Sequence, residues 1–245
     1  MLVENYNPLF DTYIYNNIIY MNKFYEDDIC VVYNNDFSEI INLLNYDFIV
    51  TDPPYNINYK YPDYNDNLKI KDYLDLFTNF ISKKLVIIHY HEAIVNYLSK
   101  KLGDVNKIIS WCYNTNSSSK AHRAIAFYNC NPDFNKVKQP YKNLNDKRIK
   151  KLIENGSEGA RSYDWFNDIQ IIKNVSKEKT NLFTNQIPIQ LLERIILMTT
   201  NEGDTILDPF FGSGSLYFAC KNTNRKCIGI EKSKIHLDAF IDRMK

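Results

Sequence analysis

Apolar runs of two kinds alternate along most of this chain. Residues 29–33, 85–89, 107–113 and 124–128 are compact apolar stretches of strand length. Residues 37–44, 71–83, 93–101, 188–198 and 234–244 instead carry apolar positions at three- and four-residue spacing, as helices with one buried face do. Such alternation predicts an α/β fold built on a doubly wound, mostly parallel sheet. Residues 131–162 are the one long break in the rhythm. They hold a basic amphipathic helix candidate over 145–155, ended by Gly156 and followed by Gly159-Ala160-Arg161.

Two strand candidates end in unusual chemistry. The run 48–50 stops abruptly in Thr51-Asp52-Pro53-Pro54-Tyr55. Two prolines have fixed φ and no backbone N–H, so this loop is rigid and its free carbonyls point outward. Asp52 then stands at a strand's carboxyl end, where open α/β sheets place ligands. Alone, Asp-Pro-Pro reads better as an ordinary turn with a solvated acid, and the second ending is what shifts the reading. The second ending is residues 204–216, a short strand closing in Asp208-Pro209-Phe210-Phe211-Gly212-Ser213-Gly214 before an apolar helix start. Glycines there let a backbone approach a nucleotide-like ligand. No lysine follows them, which disfavours a phosphate loop, and the third glycine of the dinucleotide fingerprint is missing. A further strand, 225–231, ends in Glu231 about 20 residues on, the place of a ribose-binding carboxylate.

Taken together these motifs resemble the S-adenosylmethionine-dependent amino-methyltransferases, in the permuted order with Asp-Pro-Pro-Tyr ahead of Phe-x-Gly-x-Gly. The resemblance runs from about residue 29 to 244. It implies a Rossmann-like methyltransferase fold and methylation of adenine N6 in DNA, since Asp before Pro-Pro-Tyr usually accompanies adenine and Ser more often cytosine N4. Asp52, Pro53, Pro54 and Tyr55 are then the catalytic candidates. Asp36, Phe37, Asp208, Pro209, Phe210, Gly212, Ser213, Gly214, Glu231, Gln186 and Pro188 are the cofactor candidates, with Asp36 also suited to cap the next helix. The cofactor implied is S-adenosylmethionine, with S-adenosylhomocysteine as product and no metal. The partners implied are double-stranded DNA, a second copy of the chain in a homodimer, and a cognate restriction endonuclease. The family pattern His-Pro-x-Gln-Lys-Pro is kept here only at Gln186 and Pro188. Cytosine N4 methylation, RNA adenine methylation and an inactive DNA-binding module are rival readings. Protein glutamine methylation is disfavoured because it carries Asn where this chain has Asp52.

Domain boundaries follow the same division: an arm over 1–28, a catalytic half over 29–130, a target-recognition insertion over 131–163 and a cofactor half over 164–245. At 245 residues, 44% of them hydrophobic, the chain is long enough for one sizeable core. Its five cysteines have no paired close spacing, and no secretory signal or membrane span is evident, so a cytoplasmic protein with free thiols is expected. None of them follows a proline, which disfavours cytosine C5 methylation. His89-Tyr90-His91-Glu92 has no second histidine at helical spacing, and its histidines are assigned to structure or to the cleft edge. Net charge is only +1 but unevenly spread. Residues 1–60 hold two basic against nine acidic groups, a net of −7, while 61–130 hold nine against six and 131–180 eleven against seven. A chain that offers DNA one face has such asymmetry. Lys147, Lys151 and Arg161 in the insertion, with Ser117 and Lys120 in a polar loop, are the DNA-contact candidates; solvated surface lysines, or an Arg161 that braces Asp164, are the bland alternatives. Residues 60–68 are expected to form a mobile cover over a substrate.

Overall fold

The computed structural model describes residues 20–61, 63–114, 120–173, 176–180 and 186–245. Strand β1 (Lys23–Glu26) lies antiparallel on β2 (Cys30–Tyr33). From there the sheet runs through β11 (Lys226–Ile230), β10 (Thr205–Asp208), β3 (Phe48–Thr51), β4 (Leu85–His89), β6 (His122–Tyr128), β5 (Lys107–Cys112) and β9 (Trp165–Phe166). Every pairing from β2 to β4 is parallel. Strand β6 is antiparallel to both neighbours, and β9 joins β5 in parallel. The mostly parallel, doubly wound sheet expected from the alternation is therefore present. A separate ribbon pairs β7 (Lys138–Gln139) with β8 (Ala160–Arg161).

Helices cover both faces, which is why the central strands read as continuous apolar runs. On one face α6 (Ile189–Thr199), α7 (Ser215–Asn222) and α8 (Lys234–Met244) pack against Val50, Val86, Ile88 and Ile206. The other face takes α1 (Phe37–Ile40), α2 (Ile70–Asp75), and α3 (His91–Ala93), which continues through one π turn into α4 (Ser99–Leu102); these meet Ile49, Leu85, Ile87 and Leu207. Successive residues of β3 thus go to opposite cores, as the pleat requires. Each fully buried aliphatic of this kind contributes roughly 1.5–3 kcal/mol relative to exposure.

Several expected elements change shape under packing. The helix expected over 71–83 ends at Asp75 and resumes as a 3-10 turn, Thr78–Phe80. Phe77 and Phe80 are both buried and meet edge to face at 5.7 Å, so the chain tightens to place two rings three residues apart on one spot. The helix expected over 37–44 likewise becomes 3-10 after Ile40. Part of the expected arm, Lys23–Glu26, is a sheet strand, and residues 1–19 lie outside the described residues. Helix α5 (Lys147–Glu154) forms where the basic amphipathic pattern predicts it, capped by Asp146, whose carboxylate accepts from Arg148 N at 2.8 Å. Gly159 lies just before β8, where a Cβ would lie 2.5 Å from the Gln139 carbonyl oxygen. Among the described residues no helix is long and apolar enough to cross a membrane, and Cys30, Cys112, Cys130, Cys220 and Cys227 are all free thiols.

Candidate active site

Four parallel strands deliver acids or turns to one edge of the sheet. Asp36 follows β2, Asp52 follows β3, Asp208 ends β10 and Glu231 follows β11, so the carboxyl ends converge on one cavity of about 370 Å³. That volume lies within the usual range for small-molecule sites. Asp36, Phe37, Asp52, Pro53, Pro54, Tyr55, Gln186, Asp208, Pro209, Phe210, Gly212, Ser213 and Glu231 all line it. Gly214 and Pro188 do not. A Cβ on Gly214 would lie 2.3 Å from the Phe240 ring, so this glycine serves the packing of α7 on α8, and Pro188 is the residue that caps α6.

The glycine turn is held from below and from the side. Arg243 donates to the Ser213 carbonyl at 2.7 Å. Glu231 Oε2 accepts from Gly212 N at 2.8 Å and Oε1 from Ser233 N at 2.8 Å, which fixes the carboxylate plane at the cavity wall. Asp36 Oδ1 accepts from Ser38 N and Oγ, so its capping role is present alongside its place in the lining. Phe37 and Phe210 meet with ring centroids 4.8 Å apart. Gln186 is buried and bridges Thr180 and the Glu178 carbonyl. Together these groups form an apolar slot with acceptors at its rim and a glycine turn free of side chains, a fit for an adenosyl group with a short polar tail.

The Asp-Pro-Pro-Tyr loop lines the same cavity, at the end of the neighbouring strand β3. Tyr55 donates to Asp52 Oδ1 at 2.5 Å, and its ring stacks on His89 with centroids 4.3 Å apart. His89 is itself fixed by the Tyr73 hydroxyl at 2.9 Å, and burial drives its pKa down to about 3, so the ring is neutral. Tyr73 also donates to the Pro54 carbonyl, whereas no described group donates to that of Pro53. Burial pushes Asp52 up to about 6 against the opposing charge of Arg123 and the Tyr55 hydroxyl. Asp208 is pushed further, to about 7, again chiefly by burial, although it accepts from Thr51 Oγ1 and Phe210 N. When ionised, Asp52 is an acceptor-only group.

Within the segment expected to cover the substrate, Asp66 is tied to this loop. Asp66, 2% exposed, accepts from Asn56 N, Ile57 N and Tyr59 N at 2.7, 3.0 and 2.9 Å. Tyr59, Tyr61 and Tyr64 then line the cavity mouth. Asp66, these tyrosines and Arg123 are not among the residues the sequence singles out; a lone arginine inside the buried run His122–Tyr128 is the one available signal. Among the DNA-contact candidates, Lys147 and Lys151 lie exposed on α5 and Arg161 is exposed on β8. Asp164 pairs with Lys107 at 2.9 Å rather than with Arg161. Lys120 sits at the site's edge, 3.9 Å from the Tyr90 ring centroid and 3.8 Å from Glu92. Ser117 lies outside the described residues.

A doubly wound sheet whose strand ends bring an Asp-Pro-Pro-Tyr loop and a glycine turn to one cavity defines the Rossmann-like methyltransferase class. Residues 46–242 match the DNA methylase family, and the chain belongs to it. It is 29% identical over 224 residues to the type II methyltransferase M.HpaI of Haemophilus parainfluenzae, covering 81% of this chain and 68% of that one. It is 26% identical over 253 residues to the type II methyltransferase M.BamHI of Bacillus amyloliquefaciens, covering 89% and 58%. The chain thus spans only about three fifths to two thirds of the length of these relatives. Among solved structures, the M1.HpyAVI–SAM complex superposes with a TM-score of 0.54 at 26% identity, covering 88% of this chain and all of that one. The cytosine-N4-specific PvuII DNA methyltransferase gives 0.66 at 16% identity, covering 92% and 89%, a likeness of fold.

Proposed function

We propose that this chain is a site-specific DNA adenine-N6 methyltransferase that uses S-adenosylmethionine, the partner of a restriction endonuclease. The observation that carries the reading is the Asp52 carboxyl beside the Pro53 carbonyl, to which no described group donates, on a rigid loop that lines the same cavity as the glycine turn. When bound, the cofactor supplies a sulfonium methyl group as the electrophile. Glu231 would offer its ribose hydroxyls an oriented acceptor, Gly212 and Ser213 would make room for its methionine end, and Phe37 and Phe210, in contact with each other, would supply apolar surface for its adenine. No residue is assigned to a metal.

The exocyclic amine of a nucleobase is a poor nucleophile because its lone pair is delocalised into the ring. Asp52 and the Pro53 carbonyl accept from its two N–H bonds and draw the nitrogen toward tetrahedral geometry, which frees the lone pair for in-line attack. The alkylated nitrogen then sheds its extra proton, so Asp52 need not act as a strong base. The target base reaches this depth only by leaving the duplex stack. In this structure the Tyr55 ring lies against His89 and its hydroxyl caps Asp52, so stacking on an extruded base requires that contact to open.

Cytosine N4 fits the same pair of acceptors, and the family spans both bases. Asp at position 52, where cytosine enzymes more often have Ser, favours adenine. Incubation with methyl-labelled cofactor and duplex DNA, followed by digestion to nucleosides, is expected to place the label in N6-methyladenine. Label in N4-methylcytosine transfers the conclusion to the second reading, and label on RNA but not on DNA rejects both.

A further inference from the structure

Arg123 lines the cavity and has no task in the reaction as derived so far. It enters from β6, the antiparallel strand between β4 and β5, and is 7% exposed. Its guanidinium carbon lies 5.2, 5.7 and 5.9 Å from the ring centroids of Tyr55, Trp111 and Tyr113. The Nε atom is buried and has no hydrogen-bond partner, and among the described residues the guanidinium forms no ion pair within 4.0 Å. Contrast Arg194, equally buried, whose two terminal nitrogens hold both oxygens of Asp168 at 2.8 and 2.7 Å. A buried guanidinium without an ion-pair partner is costly to the fold, and such costs gather at functional sites.

We propose that Arg123 is a positioning residue for methyl transfer, the counter-charge that keeps Asp52 ionised in its buried cavity so that it accepts from the target amine. The inference rests on the reading of Asp52 given under the proposed function. Arg123 does not touch the carboxylate. It acts through space, across the Tyr55 ring whose hydroxyl caps Asp52, in surroundings where charges are weakly screened. Arginine suits the post because no accessible pH removes its charge.

The other groups near the pair do not replace it. Tyr55, Tyr61 and Tyr113 have their pKa values pushed up and are neutral at working pH, and His89 is neutral from burial. Lys120 lies at the rim beside Glu92. Asp36, Asp63, Asp208 and Glu231 are the other acids lining the cavity, and Asp208, pushed to about 7, titrates in the same window. Its step is common to the native protein and an Arg123 variant, so the test reads the difference between the two.

Burial already lifts Asp52 to about 6 with Arg123 present. Loss of the cation raises it further, and a protonated carboxyl donates a hydrogen bond where the amine also donates one. Single-turnover methyl transfer to duplex DNA is measured across pH for the native protein, R123M, R123Q and R123K, with cofactor affinity and thermal unfolding recorded for each. The expected result is an acidic limb displaced upward in R123M and R123Q, such that their rates climb roughly tenfold or more between about pH 6.5 and 8.5 while the native rate rises less than about twofold. R123K, which restores the charge, returns the limb toward the native position. R123Q keeps the test open should the apolar variant fail to fold. An unmoved limb in both neutral variants overturns the inference, whatever happens to their absolute rates. Asp52→Ala is run beside them: loss of transfer in that variant together with unmoved limbs rejects Arg123 alone, whereas full transfer without Asp52 rejects the reading beneath it.

Discussion

Glu231 holds the N–H of Gly212 with one carboxylate oxygen and that of Ser233 with the other, each at 2.8 Å. Its orientation is thus set by backbone that belongs to two different loops, and a hydroxyl arriving from the cavity meets an acceptor that does not have to be ordered on binding. Glu231→Ala is expected to weaken S-adenosylmethionine binding by roughly 1–3 kcal/mol, the scale for removing a charged acceptor. Titration calorimetry checks this, and unchanged affinity removes Glu231 from the groups that hold the cofactor. Glu231 is legible in the sequence because an acid ending a strand soon after a glycine turn has few other uses. Arg123 is not legible as a site residue. His122-Arg123-Ala124 reads as the entry to a strand, where a charge is normally exposed, and only the insertion of β6 between β4 and β5 buries it. Asp66 is hidden for a similar reason: its three backbone partners are contributed by a loop seven to ten residues away whose turns pass through Asn56 and Asn58 at positive φ.

At the scale of elements, strands are legible and short helices less so. A strand's signal is the apolar run itself, and both faces of this sheet are covered, so the run 85–89 coincides with β4 end to end. Helices α1 and α2 are shorter than their apolar spacing suggests; after α2 the buried pair Phe77 and Phe80 tightens the chain into a 3-10 turn that periodicity does not register, and after α1 the turn Ile41–Leu43 does the same without an aromatic pair. Helix α5 is the opposite case, an amphipathic element with no buried residue at all. Its stability therefore does not depend on Lys147 or Lys151, and their removal is a test of binding alone. Replacing both by alanine is expected to weaken association with all duplexes alike and to lower the slope of log affinity against log salt by about one for each phosphate that is no longer neutralised. Arg161 lies exposed on the β7–β8 ribbon, beside the close backbone approach at Gly159. We expect Arg161→Ala to relax selectivity at one base pair by roughly 1–3 kcal/mol, as for a bidentate guanine contact. Binding to cognate and single-mismatch duplexes separates that outcome from a uniform loss, which would make Arg161 a positioning contact.

Across the whole molecule, the parallel strands bring both halves of the chemistry to a single edge of one sheet although their motifs are about 150 residues apart in sequence. Thr51 and Asp208 make the join physical, with a hydroxyl-to-carboxylate bond of 2.7 Å between the ends of neighbouring strands β3 and β10. Charge is arranged on the same scale: the acidic residues 1–60 contribute Asp36 and Asp52 to the cavity, while the surplus of basic residues falls in 61–180, where Lys120, α5 and Arg161 lie. On the function proposed here, methyl transfer depends above all on Asp52 as the acceptor that prepares the amine for attack. The most direct test is single-turnover methyl transfer to duplex DNA by the Asp52→Ala protein, with cofactor affinity measured on the same sample. Cofactor binding is expected to stay within roughly threefold of native while transfer falls by about a thousandfold, the scale for loss of a preorganised electrostatic contact. Transfer at a near-native rate with cofactor bound would contradict that role for Asp52.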